Sequence, residues 1–178
     1  MHLLLTGEVQ VGKSTIIKKL LEKIHGSIGG FRTVLGPTTA DGSSDVFMIG
    51  AVAPMEDCRE ETRVAKRLGR GRFQSFPDVF DRVGAELLQA AQAKDWIVMD
   101  ELGFMERDAQ IFQRAVLDCF DGNTPVLGVV KPAYTPFLKK IHAHKNVHII
   151  QVTKENRDEA LKQAFGLLMC PPMHSSDG

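Results

Sequence analysis

The sequence lacks a surplus of charge of either sign, because 22 lysine and arginine residues stand against 22 aspartate and glutamate residues in 178 positions. Proteins whose main role is to bind DNA or an acidic membrane surface carry a basic excess, so neither role is expected here, and no nucleic-acid partner is predicted. Neutrality also removes the repulsion that keeps copies apart, so a monomer or a weak homo-oligomer is expected.

Cysteine is scarce as well, and long apolar runs are absent. Cys58, Cys119 and Cys170 are odd in number and widely spaced, which argues against a disulfide framework or a zinc finger and fits a reducing compartment. No stretch approaches the ~18 apolar residues that a membrane-spanning helix needs. The start of the chain lacks the basic region and apolar length of a signal peptide. We therefore expect a cytoplasmic protein without a membrane partner.

What the chain does contain is an alternation of short apolar runs and amphipathic stretches. Strands are predicted at 2–5, 30–35, 45–53, 96–99, 125–130 and 147–152, and helices at 14–25, 78–94, 108–120, 135–144 and 156–168. This alternation predicts an α/β fold, a mostly parallel sheet with helices on both faces. Ligands of such sheets bind at the carboxyl ends of the strands.

The length fits one domain, which we predict over residues 1–169, with a flexible tail over 170–178. Strands 30–35 and 45–53 could pair as a small β-hairpin inserted into the parallel pattern. Residues 36–76 are interpreted as an insertion or lid-like segment. Its part from 54 to 76, which is polar and rich in glycine and arginine, is predicted to be a partly ordered loop.

A phosphate-binding motif follows the first predicted strand. Residues 7–14, Gly-Glu-Val-Gln-Val-Gly-Lys-Ser, match G-x-x-x-x-G-K-[ST], the Walker A pattern, between a strand and a helix as that pattern requires. Backbone N–H groups of such a loop and of the helix N-terminus bind phosphate. The predicted nucleotide-binding residues here are Gly7, Glu8, Val9, Gln10, Val11, Gly12, Lys13, Ser14 and Thr15. Lys13 is also predicted to be catalytic, as a charge on the β- and γ-phosphates, and Ser14 to bind Mg²⁺.

A second motif is an apolar strand that ends in two acids. Trp96-Ile97-Val98-Met99 is followed by Asp100 and Glu101, which is the Walker B pattern. Asp100 is predicted to bind Mg²⁺ through water, and Glu101 to orient or deprotonate the water that attacks the γ-phosphate. An acid directly after the metal-binding aspartate favours hydrolysis over binding alone.

The run Asp-Glu-Leu-Gly-Phe-Met-Glu at 100–106 resembles the Asp-Glu-Ile-Gly-x-Met-Glu run of the small P-loop nucleoside-triphosphatases, the cancer-related nucleoside-triphosphatase family. Gly-Phe-Arg-Thr at 30–33 is similar to that family's Gly-Phe-x-Thr, and Val-Thr-Lys-Glu-Asn-Arg at 152–157 to its Val-Thr-x-x-Asn-Arg. The resemblance implies an α/β P-loop NTPase fold, Mg²⁺ dependence and slow hydrolysis of several nucleoside triphosphates. It implies for Asp100 and Glu101 the metal and water-activating roles already predicted.

Two further groups have alternative interpretations. Thr153, Asn156 and Arg157 follow the last predicted strand, where they either cap the last helix or contact the base or ribose. Asn156 and Arg157 are therefore candidate nucleotide-binding residues. Glu106 either supports the metal site or caps the helix that follows it.

The arginine-rich segment also allows more than one interpretation. Arg59, Arg63 and Arg67 are spaced by four residues, which predicts one face of a helix, and Arg70 and Arg72 continue the basic stretch. The face is interpreted as simply solvated, as a lid that carries an arginine finger to the γ-phosphate, or as a nucleic-acid contact.

These observations together predict a Mg²⁺-dependent nucleoside triphosphatase that acts on ATP, GTP or both. Two alternatives stay open. One is a nucleotide or small-metabolite kinase, in which Glu101 would accept a proton from an acceptor hydroxyl. The other is a non-enzymatic switch whose nucleotide-bound form recruits a partner.

Overall fold

The computed structural model of the chain describes residues 1–69 and 72–169. Arg70, Cys170 and the predicted tail over 170–178 lie outside the described residues. Over the described part, eight strands form one sheet: β1 (His2–Thr6), β2 (Ile28–Leu35), β3 (Ser44–Gly50), β4 (Arg63–Arg67), β5 (Phe73–Ser75), β6 (Trp96–Leu102), β7 (Val126–Val130) and β8 (Val147–Gln151). Their order in the sheet is β5-β4-β3-β2-β6-β7-β1-β8.

The helices lie between these strands, close to where the sequence predicts them. They are α1 (Lys13–Leu21), α2 (Pro77–Val79), α3 (Ala85–Ala91), α4 (Gln110–Asp121), α5 (Pro136–His142) and α6 (Arg157–Met169). A π-helical turn over Phe80–Gly84 joins α2 and α3 into one helical run. None of the described helices has the length and apolar content that crossing a lipid bilayer requires.

Five neighbouring strands, β2, β6, β7, β1 and β8, are parallel, which confirms the predicted parallel sheet. Every residue of β1 and of β7 is buried. A strand with helices over both faces must be apolar on both faces, so such strands appear in the sequence as continuous apolar runs. This is why residues 3–5 and 126–130 stand out in the sequence.

The sheet separates two apolar cores. Successive side chains of a strand point to opposite faces. Leu4 accordingly packs in one core with side chains of α3, α4 and α5, while Leu3 and Leu5 pack in the other with side chains of α1 and α6. β1, which leads directly into the phosphate-binding motif, is therefore packed between helices on both of its faces.

The three remaining strands extend the sheet in antiparallel fashion. β2 and β3 form the predicted hairpin. The prediction of a loop over residues 54–76 is wrong in part, because β4 pairs with β3 and β5 pairs with β4. Val64 and Ala65, in the middle of β4, are fully buried in the core that α3 and α4 cover, and this burial holds the strand.

The helical face predicted for Arg59, Arg63 and Arg67 is also wrong. The last two of these arginines begin and end the strand β4, and Arg59 precedes a short 3₁₀ turn. Arg63 lies 3.6 Å from Asp45 and 3.4 Å from Glu60, and its guanidinium stacks over the Phe76 ring. The segment therefore belongs to the sheet, where antiparallel pairing replaces the predicted helix.

Gly30 lets the strand β2 approach β6 closely. Its φ is +97°, a conformation that residues with a side chain rarely adopt, and a Cβ built there would lie 2.0 Å from the Val98 carbonyl oxygen. The close pairing sets Arg32 opposite Asp100 in the parallel register. The glycine of the Gly-Phe-Arg-Thr block thus helps to set Arg32 on the strand beside Asp100.

Candidate functional site

The two predicted motifs meet at the carboxyl ends of three adjacent parallel strands, β6, β7 and β1. The loop over residues 7–12 follows β1, and Asp100 and Glu101 lie near the carboxyl end of β6. The chain after β7 contributes Lys131. Because the strands are parallel neighbours, their carboxyl ends lie at one edge, and the two predicted motifs are brought together there.

The loop over residues 7–12 leads directly into α1, whose first residue is Lys13. Gly12 has a φ of +103°, a conformation that favours glycine, and a Cβ built on it would lie 2.7 Å from Arg157 Cδ, so the Arg157 side chain would also have to move. The first backbone N–H groups of a helix have no partner within the helix and carry partial positive charge. The start of α1 is therefore suited to an anionic group.

Lys13 is the buried cation of the loop. Its Nζ donates to the Gly7 carbonyl oxygen at 2.9 Å and also to the Glu8 carbonyl oxygen. Burial lowers the pKa of Lys13, and the nearby Lys131 lowers it further, whereas Glu101 has the opposite effect. An ammonium that has lost part of its hydration gains more than a solvated one from a phosphate ligand.

A cavity of about 460 Å³ lies over this loop. It is lined by Val9, Gln10, Gly12, Lys13, Ser14, Thr15, Glu101 and Lys131. Its size suits a small ligand, and its walls combine backbone amides, two hydroxyls, two cations and a carboxylate. Another cavity, of about 580 Å³, lies between α3 and α4. Its described lining residues include three glutamines and one residue of each charge, Arg114 and Asp118, but no phosphate-binding loop and no pair of lysines.

Glu101 and Lys131 form an ion pair in the wall of the cavity. Lys131 Nζ lies 2.8 Å from Glu101 Oε1, and the two side chains are 28% and 30% exposed. Lys131 is not among the residues that the sequence motifs predict. The signal that could have found it is its position directly after a buried strand, the same signal that identified Asp100.

Asp100 is half-buried at the carboxyl end of β6, next to Glu101. Burial raises the pKa of Asp100, the neighbouring Glu101 raises it further, and Arg32 on the adjacent strand opposes both. Two carboxylates side by side, one of them poorly hydrated, favour a cation as a partner.

Ser14 and Asp100 fit the predicted Mg²⁺. Mg²⁺ takes oxygen ligands and commonly keeps several waters, using one or two protein groups together with substrate phosphates. Ser14 lies in the first turn of α1 and lines the cavity. The pKa of Asp100 is raised by burial and by Glu101, so a nearby cation would stabilise its ionised form. Within residues 1–69 and 72–169, no cluster of three or more His, Cys, Asp or Glu side chains is arranged for a metal, so a fully protein-liganded site is not indicated.

Glu106 supports the chain that follows the two acids. Its Oε1 accepts a hydrogen bond from the Gly103 N–H at 2.5 Å, and its Oε2 is buried without a partner among the described residues. The residue that precedes α4 is Ala109, with no side-chain cap, so Glu106 does not have the helix-capping role considered for it. Burial, partly offset by the Gly103 hydrogen bond, raises the pKa of Glu106 to about 7.

We predict that Glu106→Gln becomes more stable relative to the wild type as the pH rises. An acid whose pKa is 4.5 unfolded and about 7 folded favours folding only while it is protonated, so this contribution falls between those two values. Glutamine keeps the acceptor for Gly103 and does not ionise. The difference in unfolding free energy should grow by about 3 kcal/mol between roughly pH 5 and pH 8.

Urea unfolding of both proteins at four or five pH values measures this. Glu86→Gln, at an exposed position on α3, is the matched control and should follow the wild type. Parallel curves for wild type and Glu106→Gln would contradict the prediction.

The segment after β8 forms the predicted cap of α6. Thr153 Oγ1 accepts from the Asn156 N–H at 3.2 Å, and Asn156 Oδ1 accepts from the Thr153 N–H at 2.7 Å. Asn156 Nδ2 donates to the Gln151 carbonyl oxygen, so both ends of this amide are used within the turn. Arg157 instead lies over Gly12. A nucleotide contact from Asn156 or Arg157 stays a prediction.

A smaller cavity of about 300 Å³ adjoins this turn. Glu8 and Val11 line it from the phosphate-binding loop, and residues 151–155 line it from the other side. The described residues that line either cavity do not include Arg59, Arg63 or Arg67.

Comparison with known proteins gives consistent matches along the chain. The family described as "NTPase" matches residues 2–165. Nucleoside-triphosphatase THEP1 of Thermotoga sp. (strain RQ2) is 30% identical over 169 residues, covering 94% of this chain and 95% of that protein. The human cancer-related nucleoside-triphosphatase is 30% identical over 175 residues, covering 90% and 92%.

Among solved structures, THEP1 from the hyperthermophile Aquifex aeolicus is similar in fold. The match has a TM-score of 0.71 at 23% identity and covers 96% of this chain and 100% of that chain. The predicted α/β P-loop fold is thereby confirmed.

Proposed function

Because this chain belongs to the NTPase family, which matches residues 2–165, we propose that it hydrolyses nucleoside triphosphates to nucleoside diphosphate and phosphate in a Mg²⁺-dependent reaction. The observation that carries the proposal is that Lys13 and Glu101, a phosphate-binding cation and a carboxylate, line the same cavity. The substrates considered are ATP and GTP.

The phosphate-binding loop and the start of α1 hold the nucleotide by its phosphates. Backbone N–H groups donate to phosphate oxygens, and Lys13 places its charge on the β- and γ-phosphates. The resident Mg²⁺, held by Ser14 and Asp100, would supply charge neutralisation on the phosphate oxygens. Phosphoryl transfer asks for little covalent chemistry from a protein, so positioning and electrostatics are the main contributions.

Glu101 orients the attacking water. Its Oε1 is held by Lys131, which leaves Oε2 as an acceptor toward a water in the cavity. A carboxylate in that place can align the water with the γ-phosphorus and accept its proton as the new O–P bond forms. The bond between the γ-phosphorus and the β–γ bridging oxygen breaks in the same step, and its electron pair stays on the diphosphate. The proton and the phosphate leave as separate products, and the diphosphate remains on the loop until it dissociates.

The test is to incubate the protein with Mg²⁺ and ATP, GTP, CTP or UTP, and to measure phosphate and diphosphate together. We expect equal amounts of both products, and loss of the reaction when EDTA removes the metal. A panel of nucleosides and nucleoside monophosphates as acceptors tests the kinase alternative. A phosphorylated acceptor that forms much faster than free phosphate would replace hydrolysis by transfer, and bound nucleotide without turnover would indicate a switch.

A further inference from the structure

Lys131 is held more firmly than a lysine on a loop usually is. Its backbone N–H donates to the Leu102 carbonyl oxygen at 2.8 Å, which ties it to the end of β6. Its own carbonyl oxygen accepts from His142 Nε2 at 2.9 Å, which ties it to α5. The backbone is therefore positioned relative to both the acidic strand and a helix.

The side chain of Lys131 has a defined course as well. Its methylene groups run alongside Gly103, where a Cβ would lie 3.5 Å from Lys131 Cγ. The ammonium then reaches Glu101 Oε1 at 2.8 Å in the wall of the cavity. An ammonium has three N–H donors, and Glu101 is its side-chain partner among the described residues, so further donors are available to a ligand in the cavity.

The charges that line the cavity explain why a second cation is needed. Glu101 must lie close to the terminal phosphate to orient water, yet its negative charge repels that phosphate. Lys13, whose ammonium also holds two loop carbonyl oxygens, is the other lysine in the lining. Lys131 offsets the charge of Glu101 and adds a donor on the same side of the cavity as that carboxylate.

We propose that Lys131 binds the terminal phosphate of the nucleotide and so supplies, from within the chain, the charge that an arginine finger supplies elsewhere. This rests on the proposed function, because it requires a triphosphate in the cavity. It assigns to Lys131 the role that the sequence suggested for Arg59, Arg63 and Arg67. Of those three, Arg63 is already paired with two carboxylates.

The test compares a triphosphate with a diphosphate. Lys131→Met removes the charge while keeping most of the side-chain length, and Lys131→Arg keeps the charge. We expect Lys131→Met to weaken binding of a non-hydrolysable Mg²⁺–triphosphate analogue about 10- to 100-fold, and to change binding of the matching diphosphate less than about 2-fold. Lys131→Arg should recover most of the loss, and kcat of Lys131→Met should fall by roughly 10²–10³-fold.

Lys140→Met is the matched control, because Lys140 is an exposed lysine on α5. It should leave both affinities unchanged. Equal weakening of triphosphate and diphosphate in Lys131→Met would mean that the loop has been disturbed, and this outcome overturns the proposal. Unchanged affinity for both nucleotides also overturns it. If the wild type binds both nucleotides but releases no phosphate, the proposed hydrolysis fails while the binding contrast still decides the role of Lys131.

Discussion

Glu101→Gln should lower phosphate release by about 10²–10⁴-fold while nucleotide affinity stays within a few-fold of the wild type. Glutamine has nearly the shape of glutamate and keeps an oxygen toward the cavity, but it cannot accept a proton from water. It also removes the negative charge that faces the terminal phosphate. Lys131 then loses the negative charge of its partner at 2.8 Å and is freer to donate to the nucleotide, so binding should not suffer.

Single-turnover phosphate release and equilibrium binding of the same nucleotide measure the two halves of this prediction. Glu86→Gln, exposed on α3, makes the same chemical change away from the site and should leave both quantities unaltered. Undiminished release in Glu101→Gln would show that Glu101 does not orient the water. Loss of both release and binding would instead place Glu101 in the support of the cavity.

Lys13→Met should abolish hydrolysis, with a fall of at least about 10³-fold, and weaken nucleotide binding strongly, yet it should not destabilise the fold. The functional loss follows because the β- and γ-phosphates lose their main side-chain cation. The fold should stay stable because the Lys13 ammonium is buried and poorly hydrated, as its lowered pKa indicates. Methionine avoids the free-energy cost of burying that charge. Water can reach the exposed loop and bond to the two carbonyl oxygens that Lys13 releases.

Thermal unfolding and binding measured on the same samples test this combination. We expect the midpoint of unfolding to stay unchanged or rise, while binding is lost. Lys18→Met, at an exposed position of the same helix, is the control and should alter neither binding nor hydrolysis. A mutant at position 13 that binds nucleotide as well as the wild type would contradict the role of Lys13, and a large drop in the midpoint would contradict the stability argument.

The sequence predicts well those parts of the fold that depend on the order of residues within one short segment. Apolar runs identify β1 and β7, because both faces of these strands are buried. The Walker A residues are recognisable because glycine, lysine and serine must occur at set spacings where a strand meets a helix. Asp100 and Glu101 are found for the same reason, since they end an apolar strand.

The parts that could not be predicted depend on pairing between distant segments. β4 reads Arg-Val-Ala-Lys-Arg, a run too short and too charged to indicate a strand, and it is held by the neighbouring β3. A spacing of four residues places side chains on one face of a helix and also on one face of a strand, so the arginine pattern did not discriminate between them. The position of Lys131 after a buried strand is visible in the sequence, but its placement beside Glu101 depends on β7 lying between β6 and β1, an order that local patterns do not contain.

The position of β1 in the middle of the parallel strands also governs when the molecule can become active during its synthesis. The neighbours of β1 in the sheet are β7 and β8, which are translated long after it. While the chain is being translated, β1 therefore has neither of its two partner strands to pair with until β7 is made. Such non-local pairing is slow to form and leaves apolar segments exposed in the nascent chain. We therefore expect the chain to bind nucleotide only after residues 147–151 have emerged from the ribosome, because β8 pairs with β1.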